Sequence, residues 1–352
     1  MFGVSTKSSF GIDIGTQTIK LTEVQKKGNK YHLVNYATWS DTLDDVVQEK
    51  GGARDSSSEL IADVLNTMIR QAKMDIQKMY IAIPSYLAFS APVDFPVMSS
   101  EDLASAVNLQ AKQHIPVPVE EVQIDWINLG LSPDKKSVQV LLMAIPNTVI
   151  SKYLKISQLA GIEVEGFELD IFSQMRATNM SGAPACLVDI GARSSSIGIF
   201  DKDQRLSLLR SFDLGGNHVT NDIAARANVS IDQAEKMKIQ FGVTGENAQV
   251  VSGVDQTFRS TILRDLARAI QDYEKKTQTK MNQVILIGGM SHMKGMARYV
   301  KQCLIAEQSS LSGVDVVIGQ PASSIAVRSD FSDAFRSQIW QDISLALGIA
   351  LK

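Results

Sequence analysis

Two aspartates stand out as groups that could handle a phosphate. Each ends an apolar run and is followed by glycine and small polar residues. Residues 10–21 read FGIDIGTQTIKL, and residues 186–200 read CLVDIGARSSSIGIF. In the first segment Asp13 would sit at a strand end. Its carboxylate could hold Mg²⁺ through water, because that ion keeps most of its waters and takes few protein oxygens. Gly15 permits positive φ and a close approach to an anion. The turn's N–H groups would converge into an anion nest. Thr16 and Thr18 add hydroxyl donors on either side of Gln17, and Lys20 adds a charge-assisted contact. Asp189, Gly191, Ala192, Arg193, Ser194 and Ser195 repeat the arrangement, so Asp13 and Asp189 are the expected water-mediated Mg²⁺ residues. A single Asp-Gly turn is more often just a hairpin connection. Two copies, each opening half of the chain, instead point to a duplicated fold that grips a phosphate chain from two sides.

Three further segments fit that chemistry. Residues 284–296 read VILIGGMSHMKGM, a strand running through Gly288, Gly289 and Met290 into a helix start. Paired glycines leave room for a flat base or a ribose, and a helix N-terminus favours anions. The same pattern also describes an ordinary strand-to-helix turn. Glu235 and Lys238 lie three apart on one helix face. They could meet ribose hydroxyls and a base, or form a solvated ion pair. Gly215, Gly216 and Asn217 form another glycine turn before a helix, again suited to phosphate. No G-x-x-x-x-G-K-[ST] run occurs, which excludes a P-loop, and no Ser/His/Asp or Cys/His arrangement is present.

The elements that must position these residues follow from alternation and turn signals. Residues 10–39 read as three strands, with Gly28-Asn29 between the last two. Residues 40–56 read as a loop, and Ser56-x-x-Glu59 has capping-box spacing for the helix that follows. Residues 79–83 form a buried strand stopped by Pro84. Residues 85–146 read as an insert: a strand, a helix, the extended HIPVPVEEV segment, and two strands separated by a turn at 132–135. Helices are expected at 148–160 and from near Asp170. Residues 180–184 mark the domain boundary. The second half repeats the strand–turn–strand–strand opening. Helices are expected at 217–228, 230–240 and 254–278, then a strand, a helix and a final amphipathic helix over 335–351.

At 352 residues the chain exceeds the size at which one core keeps growing, so two domains are expected. Net charge is −3 and neither half is strongly basic, which argues against nucleic acid. Cys186 and Cys303 lie in apolar surroundings and read as buried free thiols in a reducing compartment. The four histidines are scattered, and no zinc spacing surrounds them. The N-terminus lacks the apolar region of a signal peptide. No stretch approaches the roughly 18 apolar residues of a membrane span. A cytoplasmic protein is expected, reaching a membrane only through a partner.

At these residues the chain resembles the actin/FtsA-type nucleotide-binding superfamily. Asp13–Lys20 is similar to its first phosphate motif, 189–196 to its second and 284–290 to its adenosine motif. The AEKMK run resembles the helix that contacts ribose in MreB and FtsA. Glu168-Leu169-Asp170 resembles the connecting element whose acidic residue positions the attacking water, with Asp170 at the matching position. Within the superfamily, SEDLASAVNLQAKQHIPVPVEEVQIDW, DIGTQTIKLTEV and the closing LGIALK resemble the PilM family. That resemblance implies an α/β, two-lobed actin-like (ribonuclease H-like) ATPase fold with an FtsA-type insert subdomain. The first lobe would comprise 1–84 and 147–182, closed by the helix at 335–352. The insert would be 85–146 and the second lobe 183–334. It implies ATP and Mg²⁺ as cofactors and the N-terminal cytoplasmic tail of PilN as partner. The tail would lie in a groove near the insert, within an inner-membrane complex that includes PilO. Pilus motor ATPases and self-association are further candidate contacts, and direct membrane insertion is not expected. Two departures bear on activity. Ala192 and Arg193 stand where many relatives have glycines. Asp170 is one methylene shorter than the glutamate of filament-forming relatives, so at most slow turnover is expected. The alternative is an FtsA-like cell-division filament protein, although the chain ends directly after a helix expected to pack on the first lobe.

Overall fold

The strands that lead into and out of the two aspartate turns set the frame for two sheets. The structure is a computed structural model that describes residues 8–40, 56–132, 135–180, 184–327 and 340–352. In chain order the first half contains β1 (Ser8–Ile14), β2 (Ile19–Lys27), β3 (Lys30–Trp39), α1 (Ser56–Ala72), β4 (Lys78–Ile83), β5 (Phe89–Pro96), α2 (Ser100–His114), β6 (Val122–Leu131), β7 (Ser137–Pro146), α3 (Asn147–Ala160), β8 (Glu163–Leu169) and α4 (Asp170–Ala177). The second half contains β9 (Ala185–Ile190), β10 (Ser195–Phe200), β11 (Leu206–Phe212), α5 (Gly216–Ala227), α6 (Ile231–Phe241), α7 (Ala248–Val254), α8 (Arg264–Thr277), β12 (Gln283–Ile287), α9 (Met296–Glu307), β13 (Asp315–Ile318), β14 (Ile325–Val327) and α10 (Trp340–Ala350). Contacts group the chain into two units. One is Met1–Pro84, Asn147–Asn179 and Gln320–Lys352; the other is Ser85–Pro146 and Met180–Gly319.

In the first unit the strand order is β14-β3-β2-β1-β4-β8. The first three strands form an antiparallel meander, and β1, β4 and β8 run parallel. In the second unit the order is β11-β10-β9-β12-β13. Again three strands form an antiparallel meander, and β9, β12 and β13 run parallel. The two sheets therefore share one plan, which is the duplication implied by the repeated turns. The carboxyl ends of parallel strands are where open α/β sheets take ligands. Asp13 and Asp170 lie at that edge of the first sheet, and Asp189 and Gly288 at that edge of the second.

Alternation explains which side chains face the core. On β9, Cys186, Val188 and Ile190 enter the apolar core of the second unit with Ile197 and Ile199 of β10. Leu187 and Asp189 then point to the opposite face. Both cysteines are buried, and burial pushes the thiol pKa of each upward. Residues 85–146 have a core of their own. Leu103, Val107 and Ala111, at helical spacing on α2, pack on Val93, Phe95, Val140 and Leu142 of the three-stranded sheet β5-β7-β6. Ser99 caps α2 by accepting the Asp102 N–H. In the first unit α10 lies in the core, with Trp340, Ile343, Leu347 and Ala350 packed against Val24, Leu33 and Ala177.

Residues 320–327 group with the first unit, because β14 pairs in parallel with β3. Residues 85–146 group with the second unit. The single helix expected over 254–278 is α7, then a π-helix over Asp255–Leu263, then α8. The loop at 41–55, part of the 132–135 turn, the boundary at 181–183 and the start of the last helix lie outside the described residues.

Candidate functional site

The two aspartate turns close in the same way. Gly15 N–H donates to the Thr18 carbonyl at 2.9 Å, and Gly191 N–H donates to the Ser194 carbonyl at 2.9 Å. A Cβ on Gly15 would lie 2.9 Å from the Thr18 carbonyl oxygen, and one on Gly191 would lie 3.1 Å from that of Ser194. Each glycine is therefore required by its own turn. The register matches too: Asp13 faces Lys20 across β1–β2, and Asp189 faces Ser196 across β9–β10.

In the first unit Asp13 is buried, 7% exposed. Lys20 Nζ donates to Asp13 Oδ2 at 3.0 Å. Thr16, Gln17 and Thr18 are half-buried on the turn. Asp170 opens α4 and is buried. Its Oδ1 accepts the Ile171 N–H at 2.7 Å. Two residues earlier, Glu168 anchors a network with Arg176, Ser173 and Lys352. Burial alone would push its carboxyl up, but hydrogen bonds from Arg176 and Ser173, the Arg176 charge and Lys352 hold it below the usual carboxylate value.

In the second unit Gly288 packs against Asp189. Gly288 has φ +81°, and a Cβ there would lie 2.2 Å from Asp189 Oδ1. At Gly289 an added Cβ would meet nothing within 4 Å. Gly288 thus makes room for the aspartate, while Gly289 borders open space. Ser195 Oγ donates to the Leu214 carbonyl at 2.7 Å, tying the second turn to the next segment. Lys238, 7% exposed, is held by the Gly216 carbonyl at 3.2 Å, Thr220 Oγ1 at 2.8 Å and Glu235 Oε2 at 2.6 Å. Met290 is buried beside Gly216, its Sδ 3.1 Å from where a Gly216 Cβ would stand. Glu235 also accepts from Thr220, yet stays 42% exposed.

The glycine turn at 215–217 and Arg193 have protein partners of their own. The glycine turn at 215–217 does not present its N–H groups as a free nest. Gly216 and Asn217 donate to the Gly191 and Ala192 carbonyls, at 2.9 and 2.8 Å, and Gly215 N–H donates to His218 Nδ1 at 3.1 Å. A Gly215 Cβ would lie 2.6 Å from the Ala192 carbonyl oxygen, so these glycines let one backbone brace the other. Arg193 Nε donates to Asp213 Oδ1 at 3.1 Å, and its guanidinium lies 5.4 Å from the Tyr86 ring centre. Sequence reasoning placed Ser196 at the end of the second phosphate motif but gave it no role of its own. Its Oγ is buried and makes no hydrogen bond, and cross-strand pairing puts it on the face that carries Asp189. The signal was available, since Ser196 stands as far from Asp189 as Lys20 from Asp13.

Comparison with known proteins bears on the fold and the family. Among solved structures the chain is similar to the PilM–PilN type IV pilus biogenesis complex, at 21% identity and a TM-score of 0.77, with 97% of each chain covered. It is also similar to the ethanolamine utilization protein EutJ of Carboxydothermus hydrogenoformans, at 15% identity and a TM-score of 0.53, over 99% of this chain and 91% of that one. It is 20% identical over 336 residues to cell division protein FtsA of Streptococcus pneumoniae serotype 2, covering 83% of this chain and 72% of that protein. These likenesses show a shared actin-like fold, and the FtsA match reaches no further than that fold. Among the described residues no helix is long and apolar enough to cross a membrane. A sequence profile described as type IV pilus assembly protein PilM matches residues 11–352, and the chain belongs to that PilM family.

Proposed function

We propose that this protein is a nucleotide-binding adaptor of type IV pilus assembly: it binds ATP with Mg²⁺ and docks the N-terminal cytoplasmic tail of PilN. One observation carries the nucleotide reading. The two turns share a closing hydrogen bond and an aspartate at the carboxyl edge of parallel strands. The donor set suits a magnesium–triphosphate. Asp13 and Asp189 supply carboxylates for the ion's water ligands. Lys20 and the turn hydroxyls supply donors for phosphate oxygens. Ser196 Oγ is a buried polar atom in need of a partner. Bound Mg²⁺ would neutralise charge on the phosphates. Glu235 keeps its exposed side for ribose hydroxyls, and Gly289 leaves space for the base. In this reading the nucleotide takes donors from both half-sites, 1–84 and 147–182 belong to the first lobe, 85–146 is the insert, and the second lobe starts at 183.

Asp170 is the candidate to hold an attacking water. General-base catalysis needs hydrogen-bond reach, and its short side chain already accepts the Ile171 N–H. Turnover is therefore expected to be slow or absent. The PilN reading is supported by family membership and by the PilM–PilN neighbour. In it the protein works in the cytoplasm and reaches the inner membrane through that tail. A ligand shifts a conformational equilibrium only by its differential affinity. The experiment is calorimetry of ATP with and without Mg²⁺, then of a PilN tail peptide with and without ATP·Mg²⁺. Tighter tail binding in the nucleotide-loaded protein is expected. Equal tail affinities would leave a constitutive adaptor, and no ATP binding would remove the nucleotide role.

A further inference from the structure

The second unit contains a cavity of about 600 Å³ that none of the residues discussed so far line. Its walls are β5, β11, the π-helix and the start of α8. Two features bear on what could enter. First, both strands are sheet edges: β5 ends the β5-β7-β6 sheet and β11 ends the five-stranded sheet. Proline cannot donate to a ladder, so the missing N–H groups of Pro92 and Pro96 face away from β7. That blunts β5 for pairing and leaves β11 as the usable edge. Second, the lining is cationic, with Arg210, Arg264 and Arg268 against the single carboxylate of Asp265. Arg210 Nε lies 3.1 Å from Asp265 Oδ2 and Arg264 Nε 3.8 Å from Glu307 Oε2, and both arginines remain about half exposed. The π-helix adds the Ser260 and Thr261 hydroxyls, and π-helical segments cluster at functional sites.

We propose that this groove docks an extended acidic segment of a partner protein, its main chain added to β11 and its carboxylates met by Arg210, Arg264 and Arg268. The charges decide between ligands. A compact anion needs donors converging on one point. Here the guanidiniums are divided between β11 and α8, two of them already facing the carboxylates of Asp265 and Glu307, in a lining that includes Leu209 and Phe212. Carboxylates spaced along an extended chain match that spread, and the Arg fork suits each of them. This inference does not rest on the nucleotide reading.

The test is fluorescence anisotropy of the full chain at low salt with a labelled peptide of alternating Glu and Val. The expected results are saturable binding, no binding of the Lys/Val counterpart, and about tenfold weaker binding to R268E, a helix-surface change on an exposed residue. N-methylation of alternate peptide residues should also abolish binding in one of its two registers. Absence of binding at millimolar peptide would overturn the proposal. So would equal affinity for R268E, indifference to N-methylation in both registers, or full displacement by stoichiometric tripolyphosphate, which would mark an anion site only.

Discussion

Gly288 and Asp189 are in backbone-to-carboxylate contact: a methyl group on Gly288 would sit 2.2 Å from Asp189 Oδ1 and 2.7 Å from the Ile190 carbonyl oxygen. The second obstacle is backbone and cannot rotate away. Gly288 also has φ +81°, which an L side chain resists. Gly288→Ala should therefore cost about 1–3 kcal/mol and displace the Asp189 carboxylate. The expected readouts are a lower melting temperature and at least about a tenfold loss of ATP·Mg²⁺ affinity, since 1.4 kcal/mol is a factor of ten. Gly289→Ala meets no protein atom within 4 Å, so its melting temperature should stay put while nucleotide affinity falls. Unchanged affinity there would put the base elsewhere.

Asp13 and Lys20 form the 3.0 Å pair of the first turn. Asp13→Ala should remove the Mg²⁺ dependence of ATP binding in calorimetry. Unchanged ATP affinity with and without EDTA would reduce this turn to a hairpin. Lys20→Ala should weaken ATP more than adenosine, because a point charge acts on phosphates and not on the base. An equal loss for both ligands would place Lys20 away from the phosphates.

The parts of this site that were legible in sequence are local ones. Asp13, Gly15 and Thr18 lie within one turn, where residue type and backbone geometry are tightly linked, and the same holds for Asp189, Gly191 and Ser194. Period-2 alternation likewise exposes the strands on either side. What escaped depends on distant backbone. The N–H groups of Gly216 and Asn217 bond to carbonyls at 191 and 192, and a carbonyl has no sequence identity. Arg193 finds Asp213 and Tyr86 through tertiary folding alone. The three residues of β14 become a strand only because β3 offers them an edge. The π-helix at Asp255–Leu263 has the same amphipathic pattern as the α-helices flanking it, so periodicity could not separate them.

Glu168 gives a pH prediction with a defined sign. Burial pushes its carboxyl up, but Arg176, Ser173 and Lys352 hold its folded-state pKa below the usual carboxylate value. A group depressed on folding contributes stability above its unfolded pKa and loses that contribution as pH falls through the folded value. Melting temperature of the wild type should thus drop more steeply below about pH 4.5 than that of Glu168→Gln. At neutral pH, Glu168→Ala leaves the Arg176 guanidinium without its carboxylate. The side chain is 8% exposed, so a loss of about 3 kcal/mol is expected from breaking a buried pair. Parallel pH profiles for the wild type and Glu168→Gln would mean that the carboxylate titrates alike in both states.

The C-terminal helix decides between an adaptor and a self-anchoring membrane protein. A membrane-binding helix must have an apolar face to give to lipid. On α10, Trp340, Ile343, Ala346, Leu347, Ile349 and Ala350 are all at most 4% exposed, already inside the first unit. Two glycines seat the helix against its neighbours. A Cβ on Gly11 would stand 1.7 Å from the Ala346 carbonyl oxygen, and one on Gly348 would stand 1.8 Å from that of Ser173. Both obstacles are backbone, so neither can rotate away. Lipid could take this face only by unfolding the core it fills. The purified protein should therefore stay in the supernatant when sedimented with anionic liposomes. Gly348→Val, which forces the helix off its seat, should lower the melting temperature by several degrees and raise liposome binding. Strong binding by the wild type at its native melting temperature would show that another surface contacts lipid, and would favour the self-anchoring reading over recruitment through a partner.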